Sequence, residues 1–284
     1  MTSPSLPRYG DSVIHYTPVP PIHVVGNLFL HPFGLLVATG VLSGAVLIHK
    51  RARAIGIPRE HVDGLIHWAV VPGFICAHLF EMLFYQWDKL MAEGPILLLK
   101  FWDGISSYGG FIGAVAGMYF YWWRVLRRGR FPAVLIYTDL LIEGTVLGWV
   151  FGRLGCTITL DHPGSVTDAW IAWERGGVGR HNLGFYEFLF TLLLLFPATL
   201  IIRGQEKKRH WGPGYITAII CMLYAPTRFV LDLFRQTDGP GADTRFFGLT
   251  FAHYCSILLV IVALGVIRKL RSRDLDEAAK ATLH

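Results

Sequence analysis

The chain has 284 residues, 53% of them hydrophobic and only 16% charged, where an average soluble domain carries roughly 25% charged residues. With a mean hydropathy of +0.44, this composition excludes an ordinary soluble enzyme and a disordered chain, which needs low hydrophobicity. The formal net charge of +6 fits an excess of Lys and Arg in cytoplasmic loops and gives no reason to expect a nucleic acid partner.

The first 27 residues are polar and Pro-rich, with Arg8 as their only basic residue. They lack the basic start and apolar core of a cleavable signal peptide, and no lipidation motif is seen. Apolar segments follow near 28–48, 65–86, 106–123, 133–151, 185–202, 213–235 and 249–267. Seven spans of about 20 residues would fill about half of the chain. The expected fold class is therefore all-α: one membrane-embedded domain, 1–284, with seven transmembrane helices.

Basic residues alternate between the connections. Arg8 is followed by Lys50, Arg51, Arg53 and Arg59, then by Lys89 and Lys100. Arg124, Arg127, Arg128 and Arg130 come next, then Arg153, Arg175 and Arg180. Arg203, Lys207, Lys208 and Arg209 precede Arg235 and Arg245, and the tail 268–284 holds Arg268, Lys269, Arg271, Arg273 and Lys280. The series 1, 4, 2, 4, 3, 4, 2, 5 places the N-terminus outside and the C-terminus in the cytoplasm.

The third segment carries Gly109, Gly113 and Gly117 at four-residue spacing, which lets membrane helices approach closely. The longest connection, 152–184, holds Trp170 and Trp173; Trp favours membrane interfaces, so an outer loop is expected there. The four cysteines, Cys76, Cys156, Cys221 and Cys255, show no C-x-x-C pattern, which speaks against a disulfide framework or a cysteine zinc site.

Ionisable residues inside apolar segments are costly and mark functional sites by default. His78 and Glu81 stand at i, i+3 in the second segment, and Arg228 and Asp232 at i, i+4 in the sixth. Glu143 and Arg153 mark the fourth segment. The expected orientation brings His78, Glu81, Arg153, Arg228 and Asp232 to one membrane depth, together with Tyr108, Gly109, Gly110, Cys156, Asp161, His162 and His181. Arg153 and Arg228 suit a phosphate, because a guanidinium donates in a fork that matches it. At that depth the obvious phosphate is a phospholipid headgroup.

The blocks W-D-G-I-S-S-Y-G-G-F-I-G (102–113), G-R-L-G-C-T-I-T-L-D-H-P-G (152–164), R-H-N-L-G-F-Y-E (180–187) and Y-A-P-T-R-F-V-L-D-L-F-R-Q-T-D (224–238) resemble, in order, four blocks of bacterial prolipoprotein diacylglyceryl transferases. H-P-F-G (31–34) resembles the start of their first span. The resemblance implies transfer of the diacylglyceryl group of phosphatidylglycerol to the lipobox cysteine of a prolipoprotein, with release of glycerol phosphate. It implies no metal or organic cofactor, a site on the outer face of the cytoplasmic membrane, and lateral entry of the lipid from the bilayer. A monomer is the default expectation.

Residue by residue, Arg153 matches the family's signature arginine and Gly164 its closing glycine. Asp161 stands where the family has Glu. Arg228 and Tyr224 match the sixth-span arginine and tyrosine. Arg153 and Arg228 would hold the lipid phosphate, with Gly109, Gly110, Gly164, Tyr224 and Asp232 completing the substrate-binding set. The chain departs from the pattern at Tyr108, where the family has its catalytic histidine, and at Cys156, where it has asparagine. Phe33 replaces a tyrosine, and His78 and Glu81 replace an arginine and a tyrosine. The expected base is then His78, held by Glu81 or Asp161, or His162, or Tyr108.

Three other readings stay open. Cys156 could be a nucleophile with His162 as its base. His78, Glu81, Asp161, His162 and His181 offer ligands that zinc accepts. A divergent paralogue could act on another lipid or acceptor, or bind a phospholipid or lipoprotein without turning it over.

Overall fold

The computed structural model describes residues 13–25, 28–101, 104–125, 131–209, 212–238 and 245–270. Arg8, Arg127, Arg128, Arg130 and the tail residues Arg271, Arg273 and Lys280 lie outside the described residues. In chain order the elements are β1 (Ile22–Val25), β2 (Leu28–Leu30), α1 (Pro32–Ala54), α2 (Arg59–Phe84), α3 (Trp87–Glu93), a 3-10 turn (Pro95–Leu99), α4 (Ser107–Arg124) and α5 (Phe131–Thr159). Then come β3 (Pro163–Val166), β4 (Trp173–Arg175), β5 (Val178–Asn182), α6 (Leu183–Phe190), a π-helical turn (Thr191–Leu195) and α7 (Phe196–Arg209). The chain continues through α8 (Tyr215–Leu233), β6 (Arg245–Phe246), β7 (Leu249–Thr250) and α9 (Phe251–Leu270).

Among the described residues, six helical segments are long and apolar enough to cross a membrane: α1, α2, Val134–Thr159 of α5, Leu183–Gln205, α8 and α9. The third expected span forms α4 but is not one of the six. Its 18 residues include four glycines, three tyrosines and two tryptophans, and it ends in Arg124, which dilutes its hydropathy. The chain divides into two compact units, Met1–Val46 with Ile142–Ser272, and Leu47–Leu141 with Arg273–His284.

In the second unit α2 packs along α4. A Cβ at Gly109, Gly113 or Gly117 would lie 2.3, 2.3 or 1.9 Å from the backbone oxygen of Cys76, Pro72 or Trp68. Both stripes step by four residues in opposite directions, so the helices are antiparallel and the expected close approach is made by this glycine stripe. Past α2, the chain folds back through α3 and the 3-10 turn, and Met82, Leu90 and Leu97 close a small core.

In the first unit α1 crosses α5 at two glycine pairs. A Cβ at Gly40 or Gly44 would lie 2.8 or 2.6 Å from the oxygen of Gly148 or Gly144. The helix from Leu183 to Arg209 runs antiparallel to α5, as two ion pairs show. Arg153 meets Glu187 at 3.1 Å; Glu143, earlier on α5, meets Arg203, later on α7, at 3.1 Å. Val146, Leu195, Ile216 and Ile220 form the core between α5, the π turn and α8.

The connection 152–184 is not one loop. Its first eight residues extend α5, so Arg153 and Cys156 are helical. Arg153 does not end the helix because its charge is met inside the fold. The hydroxyls of Thr157 and Thr159 donate to the oxygens of Arg153 and Gly155, both at 2.8 Å. The helix stops where Leu160 takes φ +53° and the Asp161 N–H reaches back to Cys156 O at 3.3 Å, the six-to-one bond of a Schellman end. The rest is a three-stranded antiparallel sheet in the order β3-β5-β4. Ile14 straps one edge at Trp173, and Gly164 on β3 bridges to Arg235 after α8. The sheet thus ties together the end of α5, the start of α6 and the end of α8.

Candidate active site

The first unit holds a buried charged cluster built from three of its helices. Arg153 sits in the last turns of α5, Glu187 in the first turns of α6 and Arg228 in the second half of α8. Glu187 is 1% exposed. Arg153 Nη2 stands 3.1 Å from its Oε1 and Arg228 Nη1 3.1 Å from its Oε2. Tyr224 OH and Trp149 Nε1 also donate to Oε1, at 2.7 and 3.4 Å. The Arg153 guanidinium lies over the Trp149 ring at 5.3 Å, and Tyr224 meets that ring edge-on. An isolated carboxylate at this depth would be strongly unfavourable; paired donors on both oxygens explain its burial.

A second carboxylate extends the cluster along α8. Asp232 is 1% exposed, with Arg228 Nη2 at 3.0 Å, Arg235 Nε at 3.5 Å and the His253 ring at 3.6 Å. Thr250 OH donates to its other oxygen, and the Thr250 N–H donates to His253 Nδ1 at 3.1 Å. Arg153, Arg228 and Arg235 against Glu187 and Asp232 leave one positive charge in excess. That balance suits a singly charged phosphodiester.

His162 lies just beyond α5, with Arg235 Nη1 3.2 Å from its Nδ1. Burial, then the charges of Arg153, Arg235, Arg228 and Arg175, hold its imidazole well below the ordinary range. The ring lines a cleft with Trp173, Arg175, Arg180 and His181. Arg175 donates to Leu160 O, and Arg180 to Asp238 Oδ1 at 2.9 Å. His181 Nδ1 is 2.8 Å from Tyr186 OH, and burial lowers its basicity.

Of the residues singled out in the sequence, Arg153, Tyr224, Arg228 and Asp232 converge in this cluster and His162 borders it. Cys156 is buried, with Arg153 Nη1 3.8 Å from its sulfur. A Cβ at Gly184 would lie 3.0–3.1 Å from Cys156 atoms, so the cysteine is a small residue in the close α5–α6 contact. Asp161 is exposed and accepts from Thr159 Oγ1 at 2.6 Å. Gly164 serves backbone approach: a Cβ there would meet His181 Cβ and Phe234 O, both at 2.7 Å.

His78, Glu81, Tyr108, Gly109 and Gly110 belong to the second unit. The expected His78–Glu81 pair is not formed. His78 is fully buried, with Nδ1 3.0 Å from Gly104 O and Nε2 3.2 Å from Leu97 O, while Glu81 accepts from Gln86 Nε2 at 3.1 Å. The i, i+3 spacing puts both on one face, but backbone returning from α3 supplies nearer acceptors. Both ring nitrogens face backbone oxygens, and a neutral imidazole, with a single N–H, donates to one of them. Gly109 is filled by α2, as above, whereas a Cβ at Gly110 would make only ordinary contact with Ala77, at 3.7 Å. Tyr108 is partly buried at the start of α4. The described residues hold no group of three or more His, Cys, Asp or Glu placed to hold a metal ion.

Glu187 and Arg235 were not among the residues singled out. Both stand in the quoted blocks, and Glu187 opens the apolar run at 185–202, where the rule that selected His78 applies equally.

A family model described as prolipoprotein diacylglyceryl transferase matches residues 20–268. A phosphatidylglycerol–prolipoprotein diacylglyceryl transferase of Chromohalobacter salexigens is 25% identical over 273 residues, covering 94% of this chain and 98% of its own. The protein of that name from a Janthinobacterium species is 29% identical over 266 residues, covering 89% and 95%. That from Erythrobacter litoralis is 26% identical over 253 residues, covering 86% of each.

Proposed function

The chain belongs to the prolipoprotein diacylglyceryl transferase family, and from that membership we propose that it transfers the diacylglyceryl group of phosphatidylglycerol to the lipobox cysteine thiol of a prolipoprotein. The observation that carries the reading is the buried Arg153–Glu187–Arg228 cluster with its excess positive charge. It is a site built for a phosphate in a chain whose relatives act on phosphatidylglycerol by name.

In this reaction the thiol sulfur attacks the glycerol carbon that carries the phosphate. The sulfur–carbon bond forms as the carbon–oxygen bond breaks, the electron pair stays on the phosphate oxygen, and glycerol phosphate leaves. Arg153 and Arg228 stabilise charge on that oxygen, and their donors, fixed by Glu187, need no reorganisation as it develops. Glu187 and Tyr224 position the guanidiniums. The thiol, with an ordinary pKa of about 8.5, gives its proton to Asp161. That carboxylate is exposed at the end of α5, and its one hydrogen bond comes from Thr159.

The charge alternation supports seven spans, α4 included, in the cytoplasmic membrane, with the N-terminus and the site outside. The test is mass spectrometry of a lipobox peptide incubated with the protein and phosphatidylglycerol. A diacylglyceryl adduct on its cysteine is the expected result. No adduct, beside an active relative, would overturn the reading.

A further inference from the structure

His162 stands beside the arginine cluster, yet its geometry is wrong for a base. A guanidinium carries N–H donors and no acceptor. Arg235 Nη1 at 3.2 Å from His162 Nδ1 therefore requires that Nδ1 accept, which puts the ring proton on Nε2. Protonating Nδ1 would set N–H against N–H at that contact.

Four arginines around the ring oppose its charged form. Arg153 on α5, Arg228 on α8, Arg235 beyond α8 and Arg175 on β4 all act on it as positive charges. The nearest carboxylate on α8, Asp232, is already held by Arg228 and Arg235. The Arg235 side chain also stands 3.5 Å from Asp232 through Nε, and its backbone bridges to Gly164, which keeps the guanidinium beside the ring. His162 therefore offers one permanent N–H and no free lone pair. It lines a cleft with Arg175 and Arg180, next to an excess of positive charge that draws an anion.

We infer that His162 is a fixed hydrogen-bond donor to the phosphate that leaves, locked in that tautomer by Arg235. The inference rests on the proposed transfer reaction. In that reaction Nε2–H keeps its proton throughout: it donates to a phosphate oxygen as the carbon–oxygen bond breaks, and the thiol's proton goes elsewhere. The residue is thus a catalytic donor, in a chain that lacks the family's usual histidine at Tyr108.

The experiment compares wild type, H162Q, H162L and R235A for peptide lipidation with phosphatidylglycerol across pH, with thermal unfolding run in parallel. A glutamine side chain has an N–H to donate and does not titrate, so H162Q is expected to keep kcat within about 5-fold and to leave the pH profile unchanged. H162L is expected to lose about 100-fold in kcat with little change in KM, the usual size for one preorganised donor. R235A is expected to gain an acid limb near the ordinary imidazole value, because Nδ1 is then free to protonate. If H162Q instead loses activity as fully as H162L, or removes an acid limb that wild type shows, His162 is a base and the inference fails. Wild-type turnover by H162L overturns it too. Should H162L fail to fold, the H162Q pH profile still decides. Absence of any adduct from wild type would overturn the transferase reading, and this inference with it.

Discussion

Arg153 and Arg228 share one buried carboxylate, each standing 3.1 Å from a different oxygen of Glu187. The arrangement holds two guanidiniums side by side that would otherwise repel. Glu187 neutralises one of the two charges, and Asp232 is matched by Arg235 in the same way. What remains is a rigid set of donors with one charge to spare.

Removing either arginine is expected to abolish lipid turnover. R153A or R228A should lower kcat/KM by at least about 100-fold, as for loss of one preorganised donor. R153K should recover only part of it, because an ammonium cannot span Glu187 and a phosphate in one plane. Initial rates of peptide lipidation at varied lipid concentration check this; full activity in either alanine variant sinks the phosphate assignment.

Glu187 should matter to folding as much as to catalysis. E187A leaves two buried arginines without their shared partner, and breaking a buried pair typically costs about 3–5 kcal/mol. E187Q keeps an acceptor for Tyr224 and Trp149 but loses the charge, so it should fold better than E187A and still bind lipid in the wrong geometry. Thermal unfolding in detergent, read beside kcat, separates the two. An E187A protein as stable as wild type would show that the cluster is solvated.

The sequence made part of this site legible. Ionisable residues inside apolar runs stood out because burial makes them costly, which found Arg153, Arg228 and Asp232. The glycine period of α4 announced a close helix contact, though not that α2 would be the partner. His78 misled, because helical spacing shows which side chains share a face but not which backbone oxygens fold back onto them. The end of α5 misled for a related reason: a charge reads as the edge of a span unless its partner, here Glu187 on another helix, is known. The sheet β3-β5-β4 is short and polar, without the alternation that reveals strands.

His78 is expected to act on stability alone. H78A removes the ring N–H that serves one of two buried backbone oxygens, Gly104 O or Leu97 O, and an unsatisfied buried acceptor costs about 1–3 kcal/mol. The melting temperature should fall while kcat of the folded fraction stays near wild type. If H78A unfolds outright, H78N offers partial replacement of the bonds and should restore stability. A folded H78A with kcat lost would return His78 to the chemistry.

The glycine stripe gives a steric prediction with an internal control. G117A puts a methyl 1.9 Å from Trp68 O, and backbone cannot yield as a side chain would. Overpacking of this kind costs typically about 1–3 kcal/mol, occasionally more. Gly265 on α9 has nothing within 4 Å of a Cβ, so G265A should be neutral or gain about 0.5–1 kcal/mol from helix preference. Unfolding of the two variants in the same detergent tests the contrast, and equal melting temperatures would contradict the α2–α4 contact.

The two histidines of the connection between α5 and α6 predict how stability follows pH. Burial leads in lowering both His162 and His181, with nearby arginines added at His162. The unfolded chain therefore binds protons at these sites below the ordinary value of 6.5, while the folded chain does not until the pH falls further. Stability rises with pH wherever the unfolded state holds more protons. It should therefore fall as pH drops below 6.5, and level off only below the folded values. Asp238 works in the same direction at lower pH, because its hydrogen bonds from Arg180 lower its pKa and acid removes the charge they stabilise. Melting temperature against pH for wild type, H162Q and H181Q is the measurement. Each glutamine variant should flatten the decline below 6.5, H162Q more than H181Q, since four arginines oppose charge at His162. A decline of undiminished slope in both variants would place the titrating groups elsewhere and remove the argument for a neutral ring at His162.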